Sequence, residues 1–139
     1  MKYLIITLAF LFMIRPDTTD LTITITNIKE DKGVVRLAIF DKASAFPDNA
    51  DRAYDKAVGE IKNGKATIVF KGVPHGKYAI SAFHDANNDG VINKNAFGIP
   101  KEGYGFSNNA MGSFGPPSFN DASFEVNENK NTHSFKLRN

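Results

Sequence analysis

Between Leu21 and Thr26 the chain reads Leu-Thr-Ile-Thr-Ile-Thr, apolar and polar residues in strict alternation. A period of two places Leu21, Ile23 and Ile25 on one face of an extended strand and the threonines on the other. A helix would scatter the same residues around its circumference. A half-buried strand cannot be stable alone, so the chain must build sheets and bury one face of each. The period returns at Val35, Leu37 and Ile39, and again where Tyr78, Ile80 and Ala82 oppose Ala79, Ser81 and Phe83. Strands are expected over residues 21–28, 34–41, 58–61, 66–70, 77–84, 122–126 and 132–137. The turn signals are Gly33, the hairpin sequence Lys62-Asn63-Gly64-Lys65, and Lys71 to Gly76. The first two strands are expected to pair across a hairpin at Gly33. The last two are expected to pair across Asn127 to Asn131. Residues 46–56 show no clean period and are expected to form a loop with one helical turn. The expectation is an all-β, antiparallel β-sandwich of about seven strands.

The 139 residues, 42% of them hydrophobic and twelve of them Phe, suit one folded domain. Lys2 precedes an apolar run from Tyr3 to Ile14, a length that fits a signal-peptide core and falls short of a membrane span. Residues 1–16 are therefore expected to be a signal peptide or N-terminal anchor, and residues 17–139 a single exported domain, periplasmic, secreted or at the cell surface. Arg15-Pro16 stands where a small-residue cleavage site would be expected. The chain has no Cys, which excludes a disulfide framework and a Cys-type lipid anchor. Without Lys2 and Arg15 the balance of 17 basic to 15 acidic residues becomes 15 to 15. Such a neutral domain, without a basic run, offers no electrostatic footprint for nucleic acid or anionic lipid.

The stretch from Ala82 to Phe119 carries the chemistry. Asp85-x-Asn87-x-Asp89-Gly90 puts three oxygen-bearing side chains at alternate positions before a glycine, the spacing with which a calcium loop curls around a hard cation. In that reading Asp85, Asn87 and Asp89 give side-chain oxygens and Val91 its carbonyl. Ala96 stands where an EF-hand has a bidentate Glu, so a further carboxylate must come from Glu102 or Asp121. The expected cofactor is Ca²⁺, bound weakly. The alternative is a solvated Asx-rich turn without an ion. Beyond it, Phe97, Tyr104, Phe106, Phe114 and Phe119 are interleaved with five glycines. The phenylalanines are expected to plug an open end of the sandwich, while Tyr104, Asn108 and Asn109, with His84, are candidate ligand contacts. No pair among His75, His84 and His133 has metal-ligand spacing.

Residues 69–79, VFKGVPHGKYA, resemble the turn-and-strand motif of transthyretin-like and carboxypeptidase-regulatory-like sandwiches. Taken with His84-Asp85-x-Asn87-x-Asp89-Gly90, residues 98–109 (GIPKEGYGFSNN), residues 114–119 (FGPPSF) and Asp121-Ala122, the chain resembles the exported bacterial family catalogued as domain of unknown function 2141. The resemblance covers residues 21–138. It implies an immunoglobulin-like or prealbumin-like sandwich and carries no established activity. The functional expectation is a non-enzymatic domain that binds an extracytoplasmic glycan or protein through a calcium-ordered loop, residues 85–119. Two alternatives stand beside it: a hydrolase acting on glycans or peptides around His84, Asp85 and Glu102, and a purely structural domain.

Overall fold

The computed structural model describes residues 14–139, so the expected leader lies almost entirely outside the described residues. Eight strands follow in order: β1 (Thr18–Thr26), β2 (Val34–Phe40), β3 (Asp55–Glu60), β4 (Ala66–Pro74), β5 (Gly76–Asp85), β6 (Tyr104–Phe106), β7 (Phe124–Val126) and β8 (Thr132–Lys136). Among the described residues helix is confined to two 3₁₀ turns, Ala50–Arg52 and Ser107–Asn109, and one four-residue turn, α1 (Phe119–Ala122).

The strands form a β-sandwich. One sheet runs β4-β1-β8 and the other β3-β2-β5-β6, with β7 also on β5. The ten-residue β5 is long enough to serve two short partners on one edge: Ser81–Phe83 pair with β6 and Gly76–Tyr78 with β7. Leu21, Ile23 and Ile25 of β1 are fully buried, as the alternation requires. They share the core with Val35, Leu37 and Ile39 of β2, Ile68 and Phe70 of β4, Tyr78 and Ile80 of β5, and Phe135.

The pairing differs from the sequence expectation in three places. β1 and β2 do not form a hairpin: β1 pairs with β4 and β8, and β2 with β3 and β5. β7 and β8 likewise part to opposite sheets, although Asn127 and Lys130 still close the tight turn between them. β8 lies parallel to β1, the one parallel pair among the described strands. The reason is packing. Two apolar rows such as Leu21-Ile23-Ile25 and Val35-Leu37-Ile39 bury each other better across a core than side by side in one sheet.

The Asn63-Gly64 turn forms as expected, both residues at positive φ (51° and 73°), with Lys62 and Lys65 exchanging backbone hydrogen bonds of 2.8 and 3.0 Å. Its flanking strands then diverge into different sheets. Asp31, from the β1–β2 connection, clasps the turn by accepting from Asn63 N–H (2.7 Å) and Gly64 N–H (2.8 Å). Gly33 sits at φ 71° with its Cα against the backbone of β5. A Cβ there would lie 2.1 Å from the Asp85 carbonyl oxygen, so glycine alone fits. The β1–β2 connection is thus pressed onto the end of β5, where the long loop begins.

Candidate functional site

Asp85 ends β5 on the outer face of its sheet, diagonal to Arg36 of β2 in a register that pairs Val34 with Asp85 and Arg36 with Phe83. Its side chain is fully buried, and Arg36 Nε donates to Oδ2 at 2.5 Å while remaining 31% exposed itself. Asp89 N–H donates to Asp85 Oδ1 (3.0 Å) and Gly90 N–H to Oδ2 (2.9 Å). Arg36 Nη2 also reaches Asn88 Oδ1 (2.9 Å). Burial pushes the Asp85 carboxyl upward. The Arg36 hydrogen bond, the two amide donors and the Arg36 charge outweigh it and hold the group below the usual carboxylate range.

Asp89 N–H, which donates to Asp85 Oδ1, also reaches Asn87 Oδ1 (3.4 Å). Among the described residues no three carboxylate or imidazole groups come together in a metal-sized cluster. Asp89 Oδ1 accepts from Val91 N–H (3.1 Å). Its Oδ2 accepts from the amides of Asn87 (3.1 Å) and Asn93 (3.0 Å). Glu102 Oε2 accepts from Asn93 N–H (3.1 Å). The heads of Asn87, Asp89 and Asn93 therefore converge, with Glu102 on the backbone of the third. Asn93 is the ninth position counted from Asp85, a ligand position that the sequence reading passed over although the same loop register points to it.

Among the expected ligand contacts, Tyr104 lies on the outer face of β6, while the others have different positions. His84 is buried and points its Nε2–H at the Lys32 carbonyl (2.6 Å), the ordinary strand-end hydrogen bond, beside Gly33. Asn108 and Asn109 adopt positive φ (60° and 51°). Asn108 Nδ2 donates to the carbonyls of Asp121 (3.1 Å) and Ser123 (2.8 Å), and Asn109 Oδ1 accepts from Lys136 N–H (2.9 Å). These two asparagines tie the segment after β6 to α1 and β8. Buried Ser107 joins them, accepting from Ile80 N–H (2.9 Å) and donating to the Ala122 carbonyl. His133 stacks on Phe124 with centroids 4.0 Å apart, and its Nε2 accepts from Asn108 N–H (3.1 Å).

A groove of about 1070 Å³ lies on the outer face of the β3-β2-β5-β6 sheet. Register builds its floor from two cross-strand rows, Val58-Arg36-Phe83-Tyr104 and Lys56-Ala38-Ser81-Phe106. One wall comes from the loop after β5, through Gly90, Ile92, Lys94, Gly98 and Pro100. Met111, Gly112 and Pro116 form another, and Pro47 to Asp51 a third. The expected single long loop is thus interrupted by β6, and its two halves wall one groove. The plug expectation is met only in that Phe106 and Phe119 are packed: they lie with Phe46 on this outer face, in clusters apart from the core, and not in an open end of the sandwich. It is overturned for Phe97 and Phe114, which are 89% and 105% exposed. Each occupies a tight turn with no neighbouring element to cover it; at Phe97 the Asn95 side chain caps the turn by accepting from Phe97 N–H (2.9 Å) and Ile99 N–H (3.1 Å).

Sequence reading missed Arg36, and the signal was present: it is the one charged residue in Val34–Phe40 and sits on the face opposite the core. It also missed the groove floor, which depends on how strands from distant segments pair.

Fold and site together define a small β-sandwich with a loop-walled groove on one sheet. A family model described as "Uncharacterized protein conserved in bacteria (DUF2141)" matches residues 23–134, and the chain belongs to that family. Comparison with curated proteins and with solved structures gives no match.

Two outcomes follow from this geometry. Asp85→Ala leaves Arg36 without its counter-charge and two loop amides without an acceptor. It should cost about 3 kcal/mol in urea unfolding, the low end for a broken buried pair because Arg36 keeps some water. Arg36→Leu combined with Asp85→Ala should recover part of that loss.

The second outcome concerns pH. Burial holds the His133 pKa below its ordinary value of 6.5. The unfolded chain then takes up a proton at a higher pH than the folded one. The stability contributed by neutral His133 is complete above pH 6.5 and is lost as pH falls from there through the depressed folded value. His133→Gln should flatten this decline when urea midpoints at pH 7.5 and pH 5 are compared with the wild-type chain.

Proposed function

We propose that this protein is an exported, non-enzymatic domain that binds an extended glycan or peptide in the groove on its second sheet. The floor carries the reading: two rows of four side chains, Val58-Arg36-Phe83-Tyr104 and Lys56-Ala38-Ser81-Phe106, alternate small, aromatic and cationic groups along a surface open at its length. Pockets of this kind, largely apolar with a few placed polar groups, suit binding. The state of the carboxylate supports binding over hydrolysis. A glycosidase-type acid needs a carboxyl held above its usual range, and Asp85 is held below it by Arg36. The sequence of residues 1–16 supports export.

The test is a melting-temperature screen of oligosaccharides and peptides, repeated with Val58→Trp. Val58 is 56% exposed, so the substitution narrows the floor without entering the core. A ligand that raises the melting temperature of the native chain and loses its effect in the variant is the expected result. A ligand whose effect survives, or one that is cleaved during incubation, would sink the proposal.

A second reading has its own observation: the convergence of Asn87, Asp89 and Asn93 supports Ca²⁺ ordering the wall formed by this loop. Turning either amide head presents oxygen in place of nitrogen, and Asp89 and Glu102 supply the charge. Asp85 does not fit as a ligand, since its oxygens already serve Arg36 and two amides. The site would be weak. Ca²⁺ at ten times its Kd should stabilise the fold by about 1.4 kcal/mol. Asp89→Ala should abolish that shift, and Mg²⁺ should give less. A melting temperature that stays flat to tens of millimolar Ca²⁺ would leave a hydrogen-bonded Asx turn and no ion.

A further inference from the structure

A strand at the margin of a sheet presents a row of unpaired backbone donors and acceptors, a template for another strand. Here the margins are β3, β4, β6, β7 and β8. β6 and β7 are only three residues long, and Asn109 occupies the free side of β8 by accepting from Lys136 N–H. Among the described strands that leaves β3 and β4. They flank one seam, a cavity of about 490 Å³ lined by Val58, Gly59 and Glu60 of β3 and Thr67, Ile68 and Val69 of β4. β4 is guarded by Lys71, by Pro74 and by a register shift facing Thr19 and Leu21. β3 has no such break: all six of its residues pair with β2 in one register. Its outer face carries Lys56, Val58 and Glu60, all exposed, Val58 by 56%.

We propose that β3 pairs antiparallel with β3 of a second copy of this chain, about a two-fold axis at Val58. In that register the strand is its own complement. Lys56 stands opposite Glu60 of the second copy, Glu60 opposite its Lys56, and Val58 opposite itself, all on the outer face. On the inner face Ala57 meets Gly59, two small residues that let the strands approach. Other registers spoil the match: centring on Lys56 sets lysine against lysine, and centring on Glu60 sets glutamate against glutamate. Both charges are available. Lys56 reaches Asp51 only at 3.8 Å, between two well-exposed groups, and such a pair is worth little in water. Glu60 has no basic partner in an ion pair among the described residues. Asp55, the remaining charge on β3, lies on the other face near the strand's start, where its Oδ1 accepts from Lys56 N–H (2.7 Å). Pairing fuses the second sheets of the two copies. The floor row Val58-Arg36-Phe83-Tyr104 then runs on from one copy into the other, because Val58 is its last member. Pairing requires no ligand, so it stands separately from the groove reading.

The chain contains no Cys, so a single introduced thiol reports one position. The full-length Val58→Cys chain, kept in mild detergent because of the apolar run at residues 3–14, would be oxidised with glutathione disulfide. Position 58 faces itself across the axis, close enough for a disulfide bridge. Val91→Cys, at a site 58% exposed on the loop after β5, is the control. The expected result is a disulfide-linked dimer that forms readily through position 58 and poorly through 91. Adding Lys56→Glu or Glu60→Lys should slow the bridging at 58 about fivefold each, since both symmetric pairs turn repulsive. The two substitutions move the charge near the thiol in opposite directions, so a common drop reports strand pairing and not thiol reactivity. Combining them restores opposite charges and should return the rate to that of Val58→Cys alone. Equal bridging at 58 and 91, or single variants that bridge as fast as their parent, would overturn the proposal in favour of random collision or association through the apolar run. A double variant no faster than the singles would overturn it as well.

Discussion

The Arg36–Asp85 pair is the interaction on which the arrangement of the second sheet's outer face depends. It joins the middle of β2 to the end of β5, and the carboxylate then holds the first turn of the following loop through Asp89 N–H and Gly90 N–H. A buried carboxylate is costly unless it is paired and its lone pairs are filled. Asp85 meets both conditions with one guanidinium and two amides, and the same atoms fix where the loop leaves the sheet. On the opposite side of the β5 terminus, His84 binds the Lys32 carbonyl and Gly33 packs against the Asp85 backbone. The loop therefore begins from a point constrained on both sides, and so can form a wall of a groove.

This role changes what the Asp85-x-Asn87-x-Asp89-Gly90 spacing means. The alternation curls the chain whether or not an ion is present, because Asp85 can satisfy the loop amides directly. A cation at Asp85 would compete with Arg36, already 2.5 Å away. Any ion must use the outer group of Asn87, Asp89 and Asn93, which carries less charge. The motif is thus first a device for turning the chain and only secondarily a candidate ion site.

The layers of the fold were legible in the sequence because a strand with one buried face advertises it through period two. Leu21, Ile23, Ile25, Val35, Leu37 and Ile39 all face the core as their spacing requires. Partner choice was not legible. Alternation says which face is buried but not whether the next strand lies alongside or across the core, and β1–β2 and β7–β8 resolve that in favour of crossing. The Asn63-Gly64 turn was legible in its dihedrals and silent about the divergence of its strands. The same limit hid the groove floor, since Val58, Arg36, Phe83 and Tyr104 become one row only once β3, β2, β5 and β6 are in register. Asn108 and Asn109 show the converse. Asparagines in a glycine-rich loop read as ligand contacts, yet their tolerance of positive φ and their amide donors serve to fasten that loop to β8 and α1.

The five aromatics of the region between Phe97 and Phe119 divide along a physical line. Phe106 and Phe119 lie where β6 and α1 meet the sheet, so burial is available and they take it, edge-on to Phe46. Tyr104 is half-buried on the groove floor. Phe97 and Phe114 sit in turns whose residues the sheet cannot reach. Leaving a phenylalanine in water forfeits on the order of 2 kcal/mol of burial. Folding gains nothing from either ring, and a polar residue would serve those turns equally well. What these two side chains contribute is therefore not burial within the domain, in contrast to Phe106 and Phe119 on the same stretch of chain.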